Sequence, residues 1–188
     1  MFRPASAVQE KGFPRPPAKE IICIPARGKP RKREREAPVQ PFWKRKSLAQ
    51  MSEEEWESLC DHCGRCCLVK LEDEDSGEIF TTSVVCRLYD VECGGCSAYG
   101  ERFRHMPDCI DLTPDNIAEI PWLPATCAYR LLHEGRDLPP WHPLRSGDPG
   151  SVREAGMAIA DEVISEATVS EEDLPAYIRP WPKMKGED

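Results

Sequence analysis

Cys60-Asp61-His62-Cys63-Gly64-Arg65-Cys66-Cys67-Leu68 places four cysteines in eight consecutive positions, and its reading decides what core this chain can build. Two residues between cysteines let both sulfurs turn inward on one tetrahedral ion, about 2.3 Å away. Gly64 suits the tight turn that this requires. Cys86, Cys93-Gly94-Gly95-Cys96, Cys109 and Cys127 follow, so nine of the ten cysteines lie between positions 60 and 127. Cys23 stands apart. A single Cys-x2-Cys is a weak signal, whereas repeated bites with an adjacent pair and three further cysteines form a strong one. The candidate metal ligands are Cys60, Cys63, Cys66, Cys67, Cys86, Cys93, Cys96, Cys109 and Cys127.

Geometry limits which of them share an ion. In a helix, at about 100° per residue, Cys60, Cys63 and Cys67 would fall on one face and Cys66 would point away. In an extended segment neighbours also diverge. Cys66 and Cys67 are therefore expected to serve different partners. The nine thiols allow two four-thiolate sites with one left over, or one site plus structural thiols. Four thiolates suit zinc and iron–sulfur clusters alike. Ferredoxin-type binding often places the remote cysteine before proline, but Cys86, Cys109 and Cys127 precede Arg87, Ile110 and Ala128. Spacing leaves zinc or iron open.

The surroundings favour metal over a disulfide framework. The first residues carry no apolar stretch before a cleavage site, and no apolar run reaches the roughly 18 residues of a membrane span. The expected location is cytoplasmic, where dense cysteines point to metal or redox chemistry. A secreted disulfide scaffold is the weaker rival. Over 188 residues, 40% are hydrophobic, 31% charged and only 7% aromatic, so few large side chains are available to close a core.

The formal charge of −8 splits into +9 over residues 1–46 and −17 over residues 47–188. The first segment also holds eight of the 19 prolines and the run Lys29-Pro30-Arg31-Lys32-Arg33. It is expected to be a disordered tail, with Pro41-Phe42-Trp43 docking on the domain. A basic arm can bind nucleic acid through counterion release. Scarce stacking aromatics and the acidic domain behind the tail argue against that partner.

Residues 47–188 are expected to form one domain. Ser52-Glu53-Glu54-Glu55 is a capping-box signature for a helix carrying Trp56 and Leu59 inward and delivering the chain to Cys60. Ile79 to Val85 predicts a strand running into Cys86. Thr113-Pro114-Asp115 predicts a short helix, and Cys127 to Gly135 a helix closed by that glycine. Met157 to Val169 is strand-like, and Ser170-Glu171-Glu172-Asp173 opens a last short helix. Between Cys86 and Thr113 little regular structure is expected. The fold class is α+β: small, loop-rich and stapled by metal.

Other polar residues have structural readings. His142, in Trp141-His142-Pro143-Leu144, is read as a packed, hydrogen-bonded loop residue in preference to a ligand. His105 and His133 are read as surface groups. Asp61 and Asp108 are read as turn caps, and Glu72-Asp73-Glu74-Asp75 as a solvated turn before Gly77. No nucleotide loop, nucleophile elbow or His-Glu-x-x-His helix occurs, so nothing nominates a catalytic centre.

Cys60-Asp61-His62-Cys63-Gly64-Arg65-Cys66-Cys67 resembles the Cys-x-x-Cys-x-x-Cys-Cys motif of a zinc- or iron-chelating domain group, and more closely its uncharacterised bacterial YcgN-type proteins. The likeness runs from about Pro41 to Trp181. It includes Met51 to Cys60, Pro107-Asp108-Cys109, Trp122 to Arg130 and Trp141-His142-Pro143-Leu144. It implies a chelating domain and no established reaction. Two departures stand out: the family's middle pair is usually Cys-x-Cys where this chain has Cys93-Gly94-Gly95-Cys96, and a small residue usually stands where this chain has His62. The functional expectation is metal chelation by clustered thiolates, with a metal ion as the expected partner. The alternatives are a thiol- or cluster-based redox carrier, and an interaction adaptor folded by zinc.

Overall fold

The computed structural model describes residues 2–4, 40–159 and 163–182. Its largest sheet has the order β1 (Phe2–Pro4), β2 (Leu68–Asp73), β3 (Ile79–Val85) and β6 (Ile164–Ser165). β2 and β3 form an antiparallel hairpin with Leu71 opposite Phe80 and Leu68 opposite Val85, and a register shift between Leu68 and Lys70. Its turn is made by the acidic run: the Asp73 carboxylate accepts from the amides of Asp75 at 3.1 Å and Ser76 at 2.8 Å. β1 lies antiparallel on the outer edge of β2, and β6 runs parallel to β3, with Val84 opposite Ile164. A smaller hairpin pairs β4 (Tyr89–Asp90) with β5 (Gly95–Cys96).

The helices are short: α1 (Phe42–Arg45), α2 (Glu53–Glu57), α3 (Arg102–His105), α4 (Ala128–His133), α5 (Pro143–Ser146) and α6 (Ser151–Glu154). Local chemistry explains their ends. Ser52 accepts from the Glu55 amide at 3.2 Å while the Glu55 carboxylate accepts from the Ser52 amide at 2.9 Å, closing the predicted capping box. α4 stops at Gly135 with φ +72°. The amides of Gly135 and Arg136 donate back to Leu132 and Leu131, at 3.1 and 2.8 Å, which satisfies the last carbonyls.

Apolar burial is divided among three small groups. One gathers Leu59, Ile117, Ile120, Leu123, Tyr129 and Leu138, with Phe42 and Trp43 packed against it. A second joins Leu68, Val85 and Ile159, and the third Leu71, Val84 and Leu174. Mixed short helices and strands around several cysteines make this a small, loop-rich α+β domain.

Two expectations change, and two further features go beyond what the sequence predicted. Thr113-Pro114 starts no α-helix; Asn116 accepts from the Thr113 amide, and one 3-10 turn spans Ile117–Glu119. The stretch from Met157 to Val169 contributes only two strand residues, Ile164–Ser165, because the Ile159 amide donates to the Cys63 carbonyl at 2.9 Å instead of to a sheet. The cysteine motif is not helical: it is irregular through Gly64, then one 3-10 turn over Arg65–Cys67. β2 has no counterpart in the sequence reading. Most of the predicted tail, residues 5–39 with Cys23, falls outside the described residues. Of its described part, Phe2–Pro4 form β1 and Phe42–Arg45 form α1.

Candidate metal centre

The cysteine motif occupies a corner where α2, β2 and α4 meet. Cys60 follows α2 and Cys127 precedes α4; one hydrogen bond ties α4 to α2, and a second ties the start of α5 to the residue before Cys60. The Tyr129 hydroxyl donates to the Trp56 carbonyl at 3.0 Å, with the two rings 4.6 Å apart. His142, fully buried, is hydrogen-bonded through Nε2 to the Leu59 carbonyl at 3.0 Å. Its Nδ1 accepts from the Leu144 amide at 3.1 Å, so the proton sits on Nε2. Both ring nitrogens are in use, as expected of a packed histidine, and burial holds its pKa below the ordinary value.

Between these anchors the chain is folded tightly. The Asp61 carboxylate, buried, accepts from the Cys63 amide at 3.1 Å. His62 has φ +58°, a region uncommon for residues with a side chain, and its ring lies over the Gly94-Gly95 turn. Gly64, at φ +76°, could carry no side chain: a Cβ there would lie 2.7 Å from the Tyr89 ring and 2.8 Å from Ile159.

Eight cysteines are free thiols: Cys60, Cys63, Cys66, Cys67, Cys86, Cys96, Cys109 and Cys127. Cys93 is disulfide-bonded and stands outside this set. It sits in the exposed turn between β4 and β5, its amide donating to Asp90 at 3.0 Å.

Mutual charge effects sort the thiols. Burial raises Cys60 and Cys63 well above the ordinary thiol value, and both are raised further by Asp61, Cys66 and Cys127. By side-chain exposure Cys60 is the most open member of the set. Cys127 is pushed up to about 12, mainly by burial, against the opposing amides of Arg130 and Tyr129. The Cys66 and Cys67 sulfurs are 4.0 Å apart, within hydrogen-bonding reach of each other. The Cys67 hydrogen bond, aided by Lys70, lowers Cys66 to about 7 and raises Cys67. Cys67 also feels Cys86, and burial lifts Cys109 to about 11 with Cys86 and Cys96 adding to the rise. As the chain stands, no three His, Cys, Asp or Glu side chains among the described residues already meet at metal-bonding distance.

Two cations complete the corner, and the sequence reading missed both. Arg65 and Lys70 are only 4% and 7% exposed. Lys70 donates to the carbonyls of Arg65, Cys66 and Leu68 at 2.7, 3.1 and 2.6 Å, and lies 4.6 Å from the Trp122 ring centroid. Arg65 donates to the carbonyls of Met157 at 2.9 Å and Pro182 at 2.5 Å. Among the described residues neither makes an ion pair with a carboxylate. A buried cation held mainly by carbonyl dipoles is costly. Cys63 and the buried Asp61 carboxylate favour the Arg65 charge; burial lowers Lys70 to about 8, while Cys66, Cys67 and Cys63 act in the opposite direction. Four thiolates on a divalent ion carry a net charge of about −2, which two buried cations match. The donor set therefore fits a metal. A neighbouring groove of about 840 Å³, with Arg65, Lys70, Trp122 and Trp181 in its wall, is lined by no cysteine among the described residues.

Comparison with known proteins agrees with this chemistry. Residues 59–128 match the family model described as "Putative zinc- or iron-chelating domain". A UPF0260 protein of Rhizobium etli is 54% identical over 148 residues, covering 79% of this chain and 94% of that protein. The chain belongs to the UPF0260 family. Other members include proteins of Marinobacter nauticus, 54% identical over 75% of this chain and 95% of theirs, and Parvibaculum lavamentivorans, 53% identical over 79% and 97%. No solved structure matches. No helix among the described residues is long and apolar enough to cross a membrane.

Proposed function

We propose that this protein chelates zinc or iron through Cys60, Cys63, Cys66 and Cys127, and that metal binding is what makes the domain rigid. The carrying observation is the pairing of clustered thiols with Arg65 and Lys70, two buried cations without a carboxylate ion pair among the described residues. When bound, zinc supplies a cross-link and an iron–sulfur cluster supplies electron transfer as well. The protein's own contribution is orientation. Tyr129 ties α4 to α2 and His142 ties the start of α5 to Leu59, the Asp61 turn aims Cys63, and Lys70 offsets thiolate charge beside Cys66. Elemental analysis of anaerobically purified protein tests the reading: near-integer zinc or iron per chain is expected, with visible absorbance only for iron. Absence of a stoichiometric transition metal would overturn it.

One observation favours a second reading, a thiol redox protein: Cys66, lowered to about 7, sits 4.0 Å from the Cys67 sulfur. A low thiol pKa raises the thiolate fraction available for exchange. Reversible oxidation of metal-free protein at Cys66, with no loss of fold on metal removal, would favour this alternative.

A further inference from the structure

We infer that Cys67, Cys86, Cys96 and Cys109 form a second, separate four-thiolate metal site at the cysteine-bearing end of the hairpin. The inference rests on the reading above that this domain chelates metal, and extends it to the four free thiols left over. The topology itself collects them. Cys67 ends the 3-10 turn that leads into β2, and Cys86 follows β3, the partner strand. The Cys86 amide donates to the Cys67 carbonyl at 2.9 Å, so the two cysteines face each other across the hairpin end. The Leu88 amide points at the Cys86 sulfur at 3.5 Å, an arrangement that favours a thiolate.

The third cysteine arrives through the small hairpin. Tyr89 opens β4 and pairs directly with Cys96 of β5. Leu88 accepts from the amide of Ser97 at 2.7 Å and from its hydroxyl at 2.8 Å, which fixes Cys96 beside the Cys86 turn. The fourth arrives through α3. Arg87 donates to the His105 carbonyl at 3.1 Å, and the Cys109 amide closes a turn onto Met106 at 3.0 Å. All four thiols are partly buried, and three of the four lie on turns or two-residue strands that can draw in on an ion. Such sites form together with their metal. Cys67 goes to the second ion because its carbonyl takes the Cys86 amide, and with its sulfur 4.0 Å from that of Cys66 the two sites lie side by side across one peptide bond.

The test uses the full chain, purified anaerobically, saturated with zinc and desalted. The unaltered protein is expected to hold two zinc ions, and both Cys96→Ser/Cys109→Ser and Cys60→Ser/Cys127→Ser about half as much. Full zinc content in Cys96→Ser/Cys109→Ser would overturn the second site and leave the first standing. No zinc in the unaltered protein would instead overturn the chelation reading itself. Should a variant lose all zinc by misfolding, stepwise chelation of the unaltered protein decides. Alkylation mapped by mass spectrometry is expected to release Cys67, Cys86, Cys96 and Cys109 as one group, distinct from Cys60, Cys63, Cys66 and Cys127. Simultaneous release of all eight would contradict two sites.

Discussion

Gly64→Ala probes the turn on which the cysteine motif depends. Two costs add at this position. An L side chain at φ +76° is strained by about 1–2 kcal/mol. Its Cβ would also lie 2.7 Å from the Tyr89 ring and 2.8 Å from Ile159, and overpacking of this kind costs about 1–3 kcal/mol. Gly77 separates the two, because it has φ +71° with nothing within 4 Å of a Cβ. Gly77→Ala is expected to lose about 1–2 kcal/mol and Gly64→Ala about 2–5 kcal/mol. For a chain of this size that is roughly 4–20 °C of melting temperature for Gly64→Ala. Thermal unfolding of both variants measures the difference, and Tyr89→Phe combined with Gly64→Ala should recover part of it by removing the hydroxyl. Equal melting temperatures for the two alanine variants would refute the claim that Gly64 is packed against Tyr89 and Ile159.

Three further outcomes are expected. Lys70→Met should weaken zinc affinity by about 10–100-fold in chelator competition, as loss of an outer partner does; unchanged affinity would show that the buried ammonium does not serve the thiolates. His142 has its pKa lowered by burial, so its stabilisation is complete above the unfolded value near 6.5 and fades as pH falls below it. Urea unfolding at pH 7.5 and 5.5 should show a smaller pH effect in His142→Gln than in the unaltered protein, whereas parallel slopes would contradict the neutral Nε2–H assignment. Ser52→Ala removes the cap of α2 and should cost about 1 kcal/mol, read as a lower urea midpoint; no shift would mean that Glu55 and Lys46, 2.6 Å apart, hold the turn without the cap.

Local signals in the sequence were legible. Ser52 with Glu55, Gly135 after α4, and the β-branched run of β3 each act within a few residues, and each appears where expected. Phe42 and Trp43 pack on the main apolar group as expected, and His142 is satisfied by backbone on both nitrogens. The missed features depend on distant partners. β2 escaped recognition because Lys70 breaks its apolar face; the lysine is buried only because three carbonyls and nearby sulfurs receive it. Met157 to Ile159 reads as strand from composition, yet its backbone is taken by Arg65 and Cys63. Cys93 shares the spacing of a ligand pair with Cys96, but spacing cannot reveal that it is disulfide-bonded. Basic residues inside and just after the cysteine motif, Arg65 and Lys70, were the available hint to the charge balance.

X-ray absorption at the zinc or iron edge tests the central claim most directly, because it reports which atoms surround the ion. For anaerobically purified full-length protein the account predicts stoichiometric metal with sulfur neighbours alone, at about 2.3 Å for zinc. A shell of nitrogen or oxygen, or no bound transition metal, would contradict chelation by the clustered thiolates.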